Sequence, residues 1–270
     1  MKKGLSLSLL FAFLFVYSFI YGQNASLVNP FIGTGKSHAP TLWGNYGGTY
    51  PGAVAPWGRV QLTPETSERP SEAGYYYEDD KIRFFSCARH HSGYPSGSAG
   101  VIHLAFFPQR MERIPDEYDG RVFSHQQEQA TPGYYSVCFE AGDRVEVTAR
   151  ERTGLFRYHS EEGWTTLVLC RAGALSIEDK NTLNAEYMHS VIRFNQPWEN
   201  CILRNDTAYI TFRKEQTKNG LLVKLGTSSH SFDGSMRNMN VEMPGWDFDI
   251  VRQTVYNHWN EELDCVHIES

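Results

Sequence analysis

The sequence predicts a mainly β fold: a large antiparallel β-sandwich followed by one C-terminal amphipathic helix. Three observations carry that expectation. Apolar and polar residues alternate with a period of two in short runs beyond residue 120, as strands with one buried face require. Polar or glycine-containing breaks separate the runs, the pattern of a sandwich built from many short strands. Aromatic residues reach 14%, with 15 Tyr and 16 Phe, an excess that suits either a wide sheet core or platforms for sugar rings.

The first element is a targeting segment. Lys2 and Lys3 precede a charge-free apolar stretch over residues 5–21, and Gly22 is a small residue at which to cut, so residues 1–22 read as a signal peptide. No Cys follows to accept a lipid. The expectation is export to the periplasm or the extracellular space, with no stable membrane insertion after cleavage. Residues 23–243 then form the sandwich and 244–270 a linker helix.

From residue 29 to 100 the chain is rich in Gly, Pro and aromatics, as in Gly33-Thr34-Gly35 and Pro51-Gly52. It reads as loops between short strands, equally a binding rim or tight turns. Beyond residue 120, Tyr135, Val137 and Phe139 point one way and Ser136 and Cys138 the other. The Ala141-Gly142-Asp143 break and the Val145, Val147, Ala149 alternation complete a hairpin. Further strands are expected at 155–158, 165–170, 190–194, 208–212 and 221–225. After Pro244-Gly245, the residues Phe248, Val251, Val255, Trp259, Leu263 and Val266 recur at intervals of three and four, which is one helix. Its stripe either packs on the sandwich or bridges to another domain.

Bulk chemistry narrows the function. A net charge of −6 excludes a phosphate backbone as partner, because nucleic-acid binding needs clustered Lys and Arg. Cys87, Cys138, Cys170, Cys201 and Cys265 contain no CxxC spacing, which removes thiolate zinc and redox motifs. No P-loop, HExxH or GxSxG string occurs.

Three ordered stretches resemble the N-terminal region of glycoside hydrolase family 92. The first runs Val28-Asn29-Pro30-Phe31-Ile32-Gly33-Thr34-Gly35, then Thr49-Tyr50-Pro51-Gly52-Ala53-Val54-Ala55-Pro56-Trp57-Gly58 and Val60-Gln61-Leu62-Thr63-Pro64-Glu65-Thr66. The second is Gly74-Tyr75-Tyr76-Tyr77 with His90-His91-Ser92-Gly93 downstream. The third joins Ser124-His125, Pro132-Gly133-Tyr134-Tyr135-Ser136-Val137, Glu146-Val147-Thr148-Ala149 and Arg152-Thr153-Gly154-Leu155-Phe156-Arg157-Tyr158. Trp246-Asp247-Phe248 and Trp259-Asn260 resemble the family's helical connection between domains. Within this likeness, residues 36–48 and 89–93 depart from the family's usual Gly- and His-rich strings.

The resemblance implies a galactose-mutarotase-like supersandwich packed on a helical (α/α)6 catalytic domain. It also implies calcium-dependent, inverting hydrolysis of terminal α-linked mannose. The acid, the base and most calcium contacts would come from the helical domain, which lies beyond this chain or is separately encoded. This chain is therefore expected to be truncated before the catalytic domain, to hold no calcium alone and to contain no catalytic acid or base. Its partners would be mannose-containing glycans. The sugar contacts expected are Gly35, Gly52 and Gly93 as permissive backbone and His90 and His91 as hydrogen-bonding groups in a loop the family uses; Trp43, in the Gly-rich insertion, is either a stacking face for a sugar ring or a packing residue. Trp57, inside Pro56-Trp57-Gly58, reads as packing, and His103 as structural. The acids Glu65, Glu68, Glu78, Asp79, Asp80, Asp116, Glu117 and Asp119 are available, but the 78–80 run reads as a solvated turn. A free-standing carbohydrate-binding module is the alternative reading, and a purely structural protein a more distant one.

Overall fold

The computed structural model describes residues 24–36, 48–66, 74–88, 101–214 and 220–265. Within them the strands are β1 Ala53–Val54, β2 Gln61–Glu65, β3 Lys81–Ile82, β4 Phe84–Ala88, β5 Val101–Phe107, β6 Arg121–Thr131, β7 Tyr134–Phe139 and β8 Arg144–Ala149. The second half holds β9 Thr153–His159, β10 Trp164–Cys170, β11 Leu175–Asp179, β12 Thr182–Ala185, β13 Ser190–Phe194, β14 Asn200–Arg204, β15 Thr207–Arg213 and β16 Leu221–Gly226. Helix α1 spans Phe232–Glu242 and α2 Phe248–Leu263, and short 3-10 turns occupy Asn24–Leu27 and Tyr187–His189.

The strands form two antiparallel sheets, as the alternation predicts. One has seven strands in the order β1-β2-β4-β5-β10-β15-β14, and the other nine in the order β11-β12-β13-β16-β9-β8-β7-β6-β3. The predicted hairpin is β7–β8, with Val137 opposite Val145 and Gly142 at the turn with φ +87°. Tyr135, Val137 and Phe139 enter the core between the sheets, together with Phe106, Phe156, Tyr158, Leu167 and Val223.

Each sheet also buries its outer face. On the seven-stranded sheet, Ala105, Phe107, Val168 and Tyr209 lie under Met111, Ile114 and Tyr118 of the segment that follows β5. On the nine-stranded sheet, Tyr134, Leu155 and Leu222 lie under Met243, Phe248, Val251 and Val255. The helix expected from the 3.6-residue period is thus α2, packed by its apolar stripe. Asp247 caps it, accepting hydrogen bonds from the Asp249 and Ile250 amides at 3.1 and 3.0 Å. Trp259 Nε1 donates to the Val54 carbonyl at 2.8 Å, tying the helix to β1. Gly133, at the β6–β7 turn with φ +78°, allows the approach, since a Cβ there would sit 2.2 Å from Val255 Cγ1.

Helix α1 is an addition to the expected single helix. It lies within the span assigned to the sandwich and rests on β13, β16 and β9. Ser231 caps its start by accepting from the Gly234 amide at 3.1 Å.

Candidate functional site

A cleft of about 390 Å3 with converging polar groups lies beside β6, lined by Asn29, Phe31, Ile32, Thr34, Gly35, Tyr77, His125 and Glu128. One wall is a loop of residues 28–35, which turns back through the Ile32 amide to Asn29 and the Thr34 amide to Phe31. It is fastened to the neighbouring 74–79 segment: the Tyr77 amide donates to the Thr34 carbonyl at 3.1 Å and the Lys36 amide to Glu78 Oε1 at 3.0 Å.

The floor depends on an irregularity in β6. Phe123 opposes Phe139, but the next β6 residue in register, Glu128, already opposes Val137. Five residues on one strand therefore advance against two on the other, and the excess bulges out at residues 124–127. Because side chains alternate along a strand, an odd step also switches faces. Phe123 and Glu128 both turn inward as a result.

Glu128 is buried, and neutral or ring donors surround its carboxylate. Tyr75 donates to Oε1 at 2.6 Å and Tyr135 to Oε2 at 2.7 Å. His125 Nδ1 lies 2.5 Å from Oε1. Burial first, then the Glu128 charge, pushes both tyrosine hydroxyls well above their ordinary range, so they remain donors at neutral pH. A carboxylate only accepts, so His125 Nδ1 carries the hydrogen that points to Glu128. Tyr77 stacks on the imidazole at 4.1 Å and 14°, and Phe123 meets it edge-on at 5.2 Å. Among the described residues Nε2 has no hydrogen-bond partner, and the His125 side chain is 30% exposed.

A second feature is a strained rim. Trp57, Ile102, Arg171, Met188 and His189 have φ between +43° and +59°, conformations that cost a side-chain-bearing residue on the order of 1–3 kcal/mol each. Hydrogen bonds link them into one edge. The Ile102 amide donates to the Arg171 carbonyl, the Tyr187 amide to the Ala172 carbonyl, and the Ser228 amide to the Met188 carbonyl. Arg59 reaches Ser229 at 2.5 Å. Trp57 is 87% exposed and Tyr187 48%. Trp57 therefore does not pack, contrary to the sequence expectation: its left-handed backbone turns the indole outward.

Of the residues expected to touch sugar, Gly35 lines the cleft. Gly52 lies instead in a separate groove with Tyr50, Thr131 and Trp259. A Cβ on Gly52 would sit 2.4 Å from the Leu62 carbonyl oxygen, so strand approach already requires glycine there. Trp43, His90, His91 and Gly93 lie outside the described residues, as does Glu68. His103 is buried beside Phe84, consistent with a structural role. None of the other expected acids lines the cleft; Asp119 pairs with Lys81 at 2.6 Å, and Asp116 pairs with Arg113. Calcium needs six to eight oxygens. Among the described residues no group of three or more His, Cys, Asp or Glu side chains is placed to hold a metal.

His125, Glu128, Tyr75 and Tyr135 were not singled out by sequence reasoning. His125, Tyr75 and Tyr135 lie in the strings that carry the family resemblance, since residues 28–35, 74–77, 124–125 and 134–135 come from all three stretches and converge here; Glu128 lies in none of them.

The family model described as the glycosyl hydrolase family 92 N-terminal domain matches residues 27–199. Among solved structures, the fold is similar to the family GH92 alpha-mannosidase BT3965 from Bacteroides thetaiotaomicron, with 24% identity and a TM-score of 0.74 over 92% of this chain and 39% of that one. It is also similar to the family GH92 inverting mannosidase BT2199 from Bacteroides thetaiotaomicron VPI-5482, at 23% identity and TM-score 0.73 over 91% and 37% of the two chains. The gh92 family glycosyl hydrolase ccman5 gives 22% identity and TM-score 0.76 over 91% and 38%. This chain thus spans about two fifths of the length of each. No curated protein matches significantly.

Proposed function

This chain belongs to the glycosyl hydrolase family 92 N-terminal domain family, and from that premise we propose that it is the carbohydrate-facing domain of an exported α-mannosidase that releases terminal α-linked mannose from glycans with inversion. One correspondence carries the reading: the sandwich and its helices together match about two fifths of solved family 92 mannosidases. The remaining length of those enzymes leaves room for a separate catalytic part.

The side chains support a division of labour. Inversion needs one protonated and one ionised carboxyl about 6.5–9.5 Å apart. Glu128, the one carboxylate among the described residues of the cleft lining, has both oxygens committed to internal partners. On this reading the acid, the base and calcium belong to a helical catalytic domain, in the same polypeptide or separately encoded. The strained rim, with exposed Trp57 and Tyr187, suits a face that meets glycan or that domain.

The test uses the purified chain with calcium and α-linked mannosides. Hydrolysis should stay at background while α-mannosyl oligosaccharides are retained in affinity gels. Robust turnover would place acid and base inside this chain and overturn the division of labour; failure to retain any α-mannoside would remove the substrate class. A free-standing carbohydrate-binding module is the second reading, favoured by a cleft whose described lining carries the aromatic rings of Phe31 and Tyr77. Turnover on adding the helical domain would exclude it.

A further inference from the structure

Strand β16 carries a lysine where the linker between α1 and α2 covers the sheet. Val223 and Leu225 enter the core, so the alternation turns Lys224 to the outer face, where it is only 4% exposed. Among the described residues its ammonium has one hydrogen-bond acceptor, the Met243 carbonyl at 2.5 Å, and it lies 4.3 Å from the centre of the Trp246 ring. Met243 closes α1, its amide donating to the Met239 carbonyl at 2.9 Å, and Trp246 stands two residues before α2. A single side chain therefore touches both ends of the linker formed by residues 243–247.

Charge does not balance there. Arg193 of β13 stands directly opposite Lys224, with Nη1 3.9 Å from Met236 Sδ and a buried Nε that has no hydrogen-bond partner. The carboxylates on the elements packed around Lys224 are engaged elsewhere: Glu242 of α1 with Arg152, Asp249 of α2 with Arg157 of β9, and Asp247 of the linker with the first amides of α2. Two cations thus share one covered patch of sheet with no carboxylate between them among the described residues, and a buried charge without a counter-charge costs folding energy. Losing the proton relieves that cost, and so does letting water reach the amine. We propose that the linker over residues 243–247 is a proton-responsive joint: a charged Lys224 favours its release from the nine-stranded sheet, and a neutral Lys224 favours its seating there.

The direction follows from the burial. Desolvation first, then the Arg193 charge, lowers the Lys224 amine from 10.5 to about 8. With the linker lifted the amine is solvated and returns toward 10.5. Between those values the released linker binds more protons than the seated one, so the seated form gains as pH rises through that window. Below about 8 both forms are charged and the cost of burial is full. Arginine stays charged throughout, so Arg193 supplies the field and Lys224 the response.

The test is cleavage of the intact chain by chymotrypsin after Trp246, which requires the linker to leave the sheet. Rates of variants shown by thermal melts to be folded are divided by the wild-type rate at the same pH, so the protease's own pH dependence cancels. Lys224→Met keeps the length of the stem without its charge, and should be cut about tenfold more slowly than wild type near pH 7. Near pH 10, where the seated wild-type amine has lost its proton, that gap should close. Lys224→Arg is charged at both pH values and should be cut at least as fast as wild type near pH 7, and faster than wild type near pH 10. Lysine 13C spectra of the wild type give a second reading should Lys224→Met not fold: the Lys224 side-chain carbons should titrate at about 8. A gap of the same size at both pH values, faster cutting of Lys224→Met than of wild type near pH 7, or a Lys224 midpoint at the ordinary 10.5 would each overturn the joint.

Discussion

Glu128 and Glu146 stand on β6 and β8 of the same sheet, 7% and 3% exposed, yet their surroundings differ in kind. Glu128 faces the core edge and is held by two tyrosine hydroxyls and an imidazole. Glu146 faces α2 and is held by Arg157 Nε at 2.6 Å, the Tyr134 hydroxyl at 2.8 Å and Arg144 at 3.3 Å. Arg157 continues to Asp249 on α2 at 3.0 Å and lies 4.3 Å above the Phe248 ring. Burial alone would raise the Glu146 carboxyl, but hydrogen bonds from Arg157 and Tyr134 outweigh it and hold the carboxyl below its ordinary range. The difference separates two uses of a buried charge. The Glu146 network closes on itself and fastens a helix to a sheet, whereas the Glu128 network ends in an imidazole nitrogen with no partner among the described residues, at a cleft.

Removing each carboxylate is the strongest way to break this comparison. Glu146→Ala leaves Arg157 and Arg144 without their buried partner, and should lower unfolding free energy by about 3 kcal/mol in urea titrations. Retention of α-mannosyl oligosaccharides by the folded fraction should not change. Glu128→Gln should cost less, about 2 kcal/mol, because an amide still accepts on one side and fills the same volume. Retention should nevertheless weaken, since the imidazole loses its anchor. Equal stability losses with retention unaffected in both variants would make Glu128 a core element like Glu146.

The same comparison shows what the sequence makes legible. Tyr135, Val137 and Phe139 announce a strand because one face is buried and the other differs. Strand β5 is buried almost throughout, so the alternating stretch around His103 has no solvated face to mark a full strand, and the edge strands β11 and β14 are exposed or half-buried and have no buried face to mark one. Helix α1 escaped because Phe232–Glu242 carries Gly234 and little apolar stripe: its buried residues are Gly234, Ser235 and Met239. Glu128 escaped for a different reason. In Gln126-Gln127-Glu128-Gln129 it reads as solvated strand, and only the bulge turns it inward to partners 53 and 7 residues away. A change of face caused by register is not written in the local pattern.

The smallest effect tests the outer end of the Glu146 network. Asp249 sits on the first turn of α2, and its side chain is 70% exposed. The hydrogen bond from Arg157 is the main cause holding its carboxyl below the ordinary value of 3.8. A carboxylate with a depressed pKa in the folded state adds stability above its unfolded pKa, and loses it as pH falls through the folded value. Solvent screens so exposed a pair, and the exposure limits its contribution to about 0.5 kcal/mol. Asp249→Asn should therefore unfold slightly earlier than wild type at pH 7 in urea. The two curves should converge as the pH is lowered below 3.8, where the wild-type carboxyl also loses its charge. A gap that persists unchanged in acid would mean that the aspartate works through its uncharged contacts at the helix start, and that the ionic network ends at Arg157.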